Sequence, residues 1–245
     1  MRSYPGGKAG SGVYQKIISE QPPHDVYIEP FLGGGAIMRR KLPALASIGI
    51  DADEVPIAAA RAMVDAGTWF LGASSDLTDD ARVVLIVGDG VERLRSRVWP
   101  GRVLVYCDPP YLMSTRRRRD RIYRCEMESA DHVRLLDVVT KLPYMVQISG
   151  YWSELYADRL SSWRVVRYQT MTRGGRPAEE WLWMNYPKPV ELHDYRYLGR
   201  NYRDRDRLKR LRLRWLARLG RMGELERGAL LSAMSAAWPE RQIRR

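Results

Sequence analysis

Asp108, Pro109, Pro110 and Tyr111 follow directly on an apolar run that begins at Val103. Their types suit one task, the holding of a flat ring that carries an amino group. A carboxylate and a proline carbonyl can accept the amino hydrogens, and a tyrosine ring can lie against an aromatic face. The two prolines stiffen the turn and prevent both further ladder pairing and an immediate helix. Upstream, the apolar residues 26–28 lead into Glu29-Pro30-Phe31-Leu32-Gly33-Gly34-Gly35 and then residues 36–40, which read as the start of a helix. Glycines permit positive φ and a close backbone approach to a ligand, and a helix N-terminus would add unpaired N–H groups. The spacing matches neither the dinucleotide fingerprint nor the phosphate loop, so the expected ligand is neither NAD nor ATP. Asp51 ends the next apolar run, at about the distance where a βαβ unit places a ribose-binding acid, and Asp53 suits the N-cap of a helix over 54–66. Asp89 ends a third run, where its carboxylate could accept from an adenine amino group. Near the start, Tyr4-Pro5-Gly6-Gly7-Lys8 forms a turn whose cation could meet an anion.

Seven apolar runs can position these groups: 26–28, 46–50, 83–87, 103–107, 143–151, 163–168 and 180–186. They alternate with segments of helical periodicity, and several end in glycine or an acid. That pattern predicts an α/β doubly wound sheet with the site along the carboxyl edge of its strands. His132 falls in a helical segment and reads as structural. Two cysteines and three histidines provide neither a disulfide framework nor a spaced metal site, so no metal is expected. No apolar stretch approaches the roughly 20 residues that cross a bilayer, and the start lacks a signal-peptide core, so a cytoplasmic location and no membrane partner are expected.

The formal charge of +12 is carried mostly by arginine, which makes nucleic acid the expected partner. Directly after Tyr111 come Arg116, Arg117, Arg118, Arg119, Arg121 and Arg124, a basic loop suited to phosphates. Arg173 and Arg176 lie in a second glycine-containing loop. From about residue 194 the chain becomes arginine-dense. Within that stretch Leu208, Leu211, Trp215, Leu219 and Met222 recur at helical spacing, which predicts one helix with an apolar seam and cationic flanks. The seam is expected to dock on the main domain or on a second copy, as a homodimer. The expected division is a domain over 1–190 and an arginine-rich helical extension over 191–245.

Taken together, the motifs at 4–8, 29–36, 50–51, 88–89, 108–111 and 185–186 resemble the Dam-type N6-adenine DNA methyltransferases. The resemblance implies a class I, Rossmann-like methyltransferase fold of seven strands with the last antiparallel, dependent on S-adenosylmethionine. It implies that Tyr4, Lys8, Glu29, Phe31, Gly33, Gly35, Asp51 and Asp89 surround that cofactor, and that Asp108, Pro109, Pro110 and Tyr111 hold an adenine flipped out of duplex DNA. Dam-type enzymes resemble one another in carrying a sizeable recognition region before the Asp-Pro-Pro-Tyr motif. Between Asp51 and Asp108 this chain has room for little beyond a helix, a strand and their connections, so short or relaxed sequence specificity is expected. The alternatives are an RNA adenine-N6 methyltransferase, a nucleic-acid-binding protein of the same fold without activity and, more distantly, methylation of a protein glutamine.

Overall fold

The computed structural model describes residues 8, 10, 12–70, 82–116, 122–171 and 176–238. Residues 1–197 and 198–245 form two compact units. In the first, seven strands make one sheet: β1 (Val26–Glu29), β2 (Ala46–Asp51), β3 (Arg82–Val87), β4 (Val103–Cys107), β5 (Met145–Gly150), β6 (Arg164–Met171) and β7 (Pro177–Met184). Their order is β3-β2-β1-β4-β5-β7-β6. The pairs from β3 to β5 are parallel, and β7 runs antiparallel to both β5 and β6. This is the expected doubly wound α/β fold, with its last strand antiparallel.

Each strand of the centre is buried on both faces, as Val103 to Cys107 shows, which is why these segments read as continuous apolar runs. Alternate residues feed two cores. On one face Val105 and Ile148 pack with residues of α3 (Gly90–Ser96), α4 (Ser129–Val139) and α5 (Glu154–Arg159). On the other, Leu104, Tyr106 and Leu182 pack with α1 (Val13–Ile18) and α2 (Glu54–Asp65). Each fully buried Leu or Ile contributes about 1.5–3 kcal/mol relative to its exposed state.

Strand order reverses between β1 and β4, so their carboxyl ends diverge around a crevice, the usual ligand position in open α/β sheets. The start of α3 is drawn against this crevice. A Cβ on Gly90 would lie 2.0 Å from the Pro30 carbonyl oxygen, a backbone contact that no side-chain adjustment can relieve. Gly90→Ala is therefore expected to lower the unfolding free energy by about 3 kcal/mol or more, read by chemical denaturation. A loss under half of that would show that α3 can shift without cost.

Two expectations are corrected. The helix expected from residue 36 is a run of turns. The Met38 N–H, which a helix would bond to the carbonyl four residues earlier, goes instead to the Glu29 carboxylate at 2.8 Å. In the first unit the buried Asp194 accepts from the Leu42 N–H at 3.0 Å, and Arg196 and Tyr197 donate to the Arg40 carbonyl. The helix expected to carry the seam through Met222 ends sooner: α6 (Tyr202–Gly220) holds Leu208, Leu211, Trp215 and Leu219, and Met222 falls in the turn before α7 (Glu224–Ala237). Within this second unit α6 is capped by Asn201, which accepts from the Asp204 N–H at 2.9 Å. Among the described residues no helix is long and apolar enough to cross a membrane.

Candidate functional site

A cavity of about 220 Å³ lies at the carboxyl ends of β1, β2 and β4. Its walls join the two motifs that the sequence keeps far apart: Gly33, Gly34 and Asp51 on one side, Asp108 and Pro110 on the other. Six carboxylate residues line it, Glu29, Asp51, Asp89, Asp108, Glu126 and Asp131, against two cationic ones, Lys8 and Arg134. In a chain of charge +12, this wall is locally acidic. It suits a cationic ligand and repels phosphates.

At the glycine turn, Gly33 has φ of 49° and Gly35 of 60°, values that an L side chain adopts only with strain. The Gly33 N–H donates to Asp51 Oδ2 at 2.7 Å, and the Asp53 N–H donates to Oδ1 at 2.9 Å. Asp51 thus locks the turn to the end of β2, and burial raises its carboxyl above the usual range. Asp53 caps α2, accepting from the Val55 N–H. Gly35 is spaced differently from expectation: a Cβ there would meet the Trp69 ring at 2.6 Å. It is absent from the described cavity wall and packs closely on Trp69. Phe31 is partly buried against the core and lines the cavity.

Glu29 is fully enclosed yet borders the cavity. Its Oε1 accepts from the Tyr27 hydroxyl and from the Met38 N–H, both at 2.8 Å. Burial pushes its carboxyl up to about 8, against those two hydrogen bonds. The folded state therefore keeps a proton that the unfolded chain releases near pH 4.5, and stability falls as pH rises from there to about 8. Glu29→Gln keeps the accepting oxygen and removes the titration. It should match the parent protein near pH 4 and exceed it by a few kcal/mol at pH 8, measured by denaturant unfolding across that range. Equal stability at both ends would place the proton elsewhere.

Asp108 closes the other side. Its Oδ1 takes the Ser149 hydroxyl and the Lys8 ammonium, both at 2.8 Å. Burial raises its carboxyl above the usual range, with Lys8 pulling the other way. Lys8 was expected to face a cofactor or an anion. It lines the cavity, but its ammonium is buried between Asp108 and Glu180, the latter at 3.3 Å, and donates to the Tyr111 hydroxyl. Burial opposes that charge, but the two carboxylates outweigh it and hold Lys8 above the ordinary lysine range.

Tyr111 differs from expectation as well. Its hydroxyl donates to Glu180 at 2.9 Å, where Tyr168 also donates at 2.8 Å. Its ring meets the Tyr151 ring edge-on at 4.7 Å between centroids. Neither Tyr111 nor Pro109 belongs to the described cavity wall, whereas Asp108 and Pro110 do. Asp89 lines the cavity, but its carboxylate is engaged: Oδ1 caps α3 through the Val91 and Glu92 N–H groups, and Oδ2 pairs with Arg134 at 2.7 Å. The expected role of Asp89 as an acceptor from adenine must compete with these bonds.

Arg116 is not part of an outward basic face. Its side chain is 6% exposed and forms a two-pronged pair with Glu126 at 2.9 and 2.7 Å. Its Nε also donates to the Tyr111 carbonyl at 2.7 Å. Burial raises Glu126, but Arg116 and two backbone N–H groups outweigh it and hold the carboxyl at about 2. Arg124 is exposed, 3.7 Å from Asp53, and Arg176 is exposed just ahead of β7. Tyr4, Arg117, Arg118, Arg119, Arg121 and Arg173 lie outside the described residues. His132 is buried, with Nδ1 at 2.9 Å from the Tyr156 hydroxyl, in keeping with a structural role.

Sequence reasoning missed Glu180, Ser149, Glu126 and Tyr123. Only Glu180 left a signal: with Leu182 and Met184 it shares one face of β7, and that face belongs to the core, so strand alternation placed an acid where an apolar residue was due.

No protein-family model and no curated protein sequence matches the chain. Solved structures resemble it at low identity. A precorrin-8w decarboxylase from Methanobacterium thermoautotrophicum is 14% identical with a TM-score of 0.47, over 76% of this chain and 95% of that one. An O-methyltransferase from Bacillus cereus, in complex with SAH, is 11% identical with a TM-score of 0.43, over 74% and 84%. A dimethyladenosine transferase from Plasmodium falciparum is 15% identical with a TM-score of 0.42, over 73% and 63%. Strand order and direction, not these likenesses, carry the fold.

Proposed function

We propose that this chain transfers a methyl group from S-adenosylmethionine to the N6 amino group of adenine in DNA, with short or relaxed sequence specificity. The observation that carries this reading is the single acidic cavity that joins the glycine turn at 33–35 to Asp108 and Pro110 at the switch point of the sheet. The donor set fits the cofactor: Asp51 ends β2 where ribose hydroxyls would sit, beside the glycine turn on the same wall of the cavity. Bound there, S-adenosylmethionine supplies an electrophilic methyl group on a positively charged sulfur. The glycine turn and Asp51 would hold its nucleoside, and Phe31 would cover its apolar surface.

The remaining chemistry belongs to this chain's own residues. An adenine amino group is a weak nucleophile because its lone pair is delocalised into the ring. The Asp108 carboxylate, on the cavity wall, accepts one of its hydrogens, which favours a pyramidal nitrogen with the lone pair available. The rigid proline turn fixes that geometry and removes orientational freedom from the barrier. Methylation leaves one proton to be shed from that nitrogen. Asp108, with its carboxyl raised by burial, is suited to receive it. Base extrusion costs a few kcal/mol, and arginines such as Arg124 would offset part of it through backbone contacts that carry little sequence information.

Transfer of labelled methyl from S-adenosylmethionine to duplex DNA, single-stranded DNA and RNA in parallel tests this reading. Label in DNA supports it. Label in RNA alone replaces the polymer, and label in none of them overturns the proposal.

A further inference from the structure

We infer that Tyr123, rather than Tyr111, forms the aromatic wall on which the target base stacks. This inference deepens the adenine reading above and rests on it. Tyr123 borders the cavity together with Lys8 and Asp108, which puts it within reach of a base held by Asp108. Tyr111 cannot easily do the same. Its hydroxyl is bound to Glu180 and to Lys8, the Lys8 ammonium sits 4.8 Å from its ring centroid, and Tyr151 meets the ring edge-on at 4.7 Å. Freeing it would break a buried charged network.

Tyr123 is held in place for the task. Its N–H and that of Ile122 donate to Glu126 Oε1 at 3.0 and 2.6 Å. Glu126 is clamped by Arg116, whose guanidinium also lies 5.3 Å from the Tyr123 ring centroid. Arg116 is absent from the described cavity wall, so it braces the ring without filling the cavity. Its Nε bond to the Tyr111 carbonyl ties this loop to the end of the proline turn. One arginine thus fixes the distance between the group that would hold the amino nitrogen and the ring that would stack on the base. A braced ring loses little freedom on binding, which is what a stacking platform needs.

The test uses the full chain with Tyr123→Leu, Tyr123→Phe and Tyr123→Trp, each checked for folding by circular dichroism. The probes are a single-stranded thymidine dodecamer with one central 2-aminopurine, added with S-adenosylhomocysteine, and the same dodecamer with one central adenine for turnover. The parent protein and the Phe variant should quench 2-aminopurine emission, and the Leu variant should lose the quenching while KM for the adenine dodecamer rises about 10- to 100-fold. In the Trp variant the dodecamer should quench indole emission beyond the level seen in the parent protein. Turnover by the parent with unchanged KM and quenching in the Leu variant overturns this inference and leaves the enzyme standing. Quenching that depends on Tyr123 in a protein without turnover supports the base site and removes the reaction. Should the Leu variant fail to fold, absence of added indole quenching in the Trp variant overturns the inference by itself.

Discussion

Asp108→Ala is expected to lower methyl transfer by roughly 10²–10³-fold or more, the loss typical when a preorganised group that acts on the reacting centre is removed. The cofactor should bind as before, because Gly33 and Asp51 form the opposite wall of the cavity. The fold should survive. Lys8 loses its 2.8 Å partner but keeps Glu180 at 3.3 Å, so the cost in stability is about 1–3 kcal/mol. Asp108→Asn retains an acceptor and removes the charge, and should fall between the two. Single-turnover rates with cofactor titrations check these outcomes. Retained turnover in the Ala variant would remove Asp108 from the chemistry.

Lys8→Met should have the largest effect on stability. Lys8 is the cation between Asp108 and Glu180, two carboxylates whose side chains are 20% and 7% exposed. Its removal leaves them facing one another without a counter-charge, a loss of about 3–5 kcal/mol for a buried pair. The pH dependence has a definite sign. In the parent protein Lys8 is raised by the carboxylates, so its contribution is complete below the unfolded lysine value of 10.5 and is lost only as pH rises through the folded one. Without it, Asp108, already raised by burial, moves further up. The variant's folded state then keeps a proton that its unfolded state gives up near 3.8, and stability declines as pH rises from there. Denaturant unfolding at pH 5 and pH 8 should show the smaller deficit at pH 5. An equal deficit at both would mean that packing, not charge, explains the loss.

The strands were legible because both faces of the central sheet are buried, so segments such as residues 103–107 carry unbroken apolar sequence. Asp51 and Asp108 were legible because each interrupts such a run at its carboxyl end. What stayed hidden depends on contacts distant in sequence. Nothing near Met38 announces that its N–H is taken by Glu29, and nothing in a row of arginines distinguishes Arg116, whose partner Glu126 lies 10 residues further along the chain. The basic loop was read as one face, yet its first member is a buried brace. Tyr111 was read as a stacking ring from its place in the motif, but Lys8 and Glu180, 103 and 69 residues away, engage its hydroxyl. In the extension, apolar spacing ran on through Met222, while the glycines at 220 and 223 end one helix and open the next. Spacing alone does not reveal such a break.

The most direct test of the central claim is nucleoside mass spectrometry of DNA incubated with the parent protein and S-adenosylmethionine, beside the same reaction with Asp108→Ala. The account predicts N6-methyldeoxyadenosine in the first digest, spread over many sequence contexts, and none above background in the second. A methyl group on another atom or base, or equal N6-methyldeoxyadenosine from the two proteins, would contradict it.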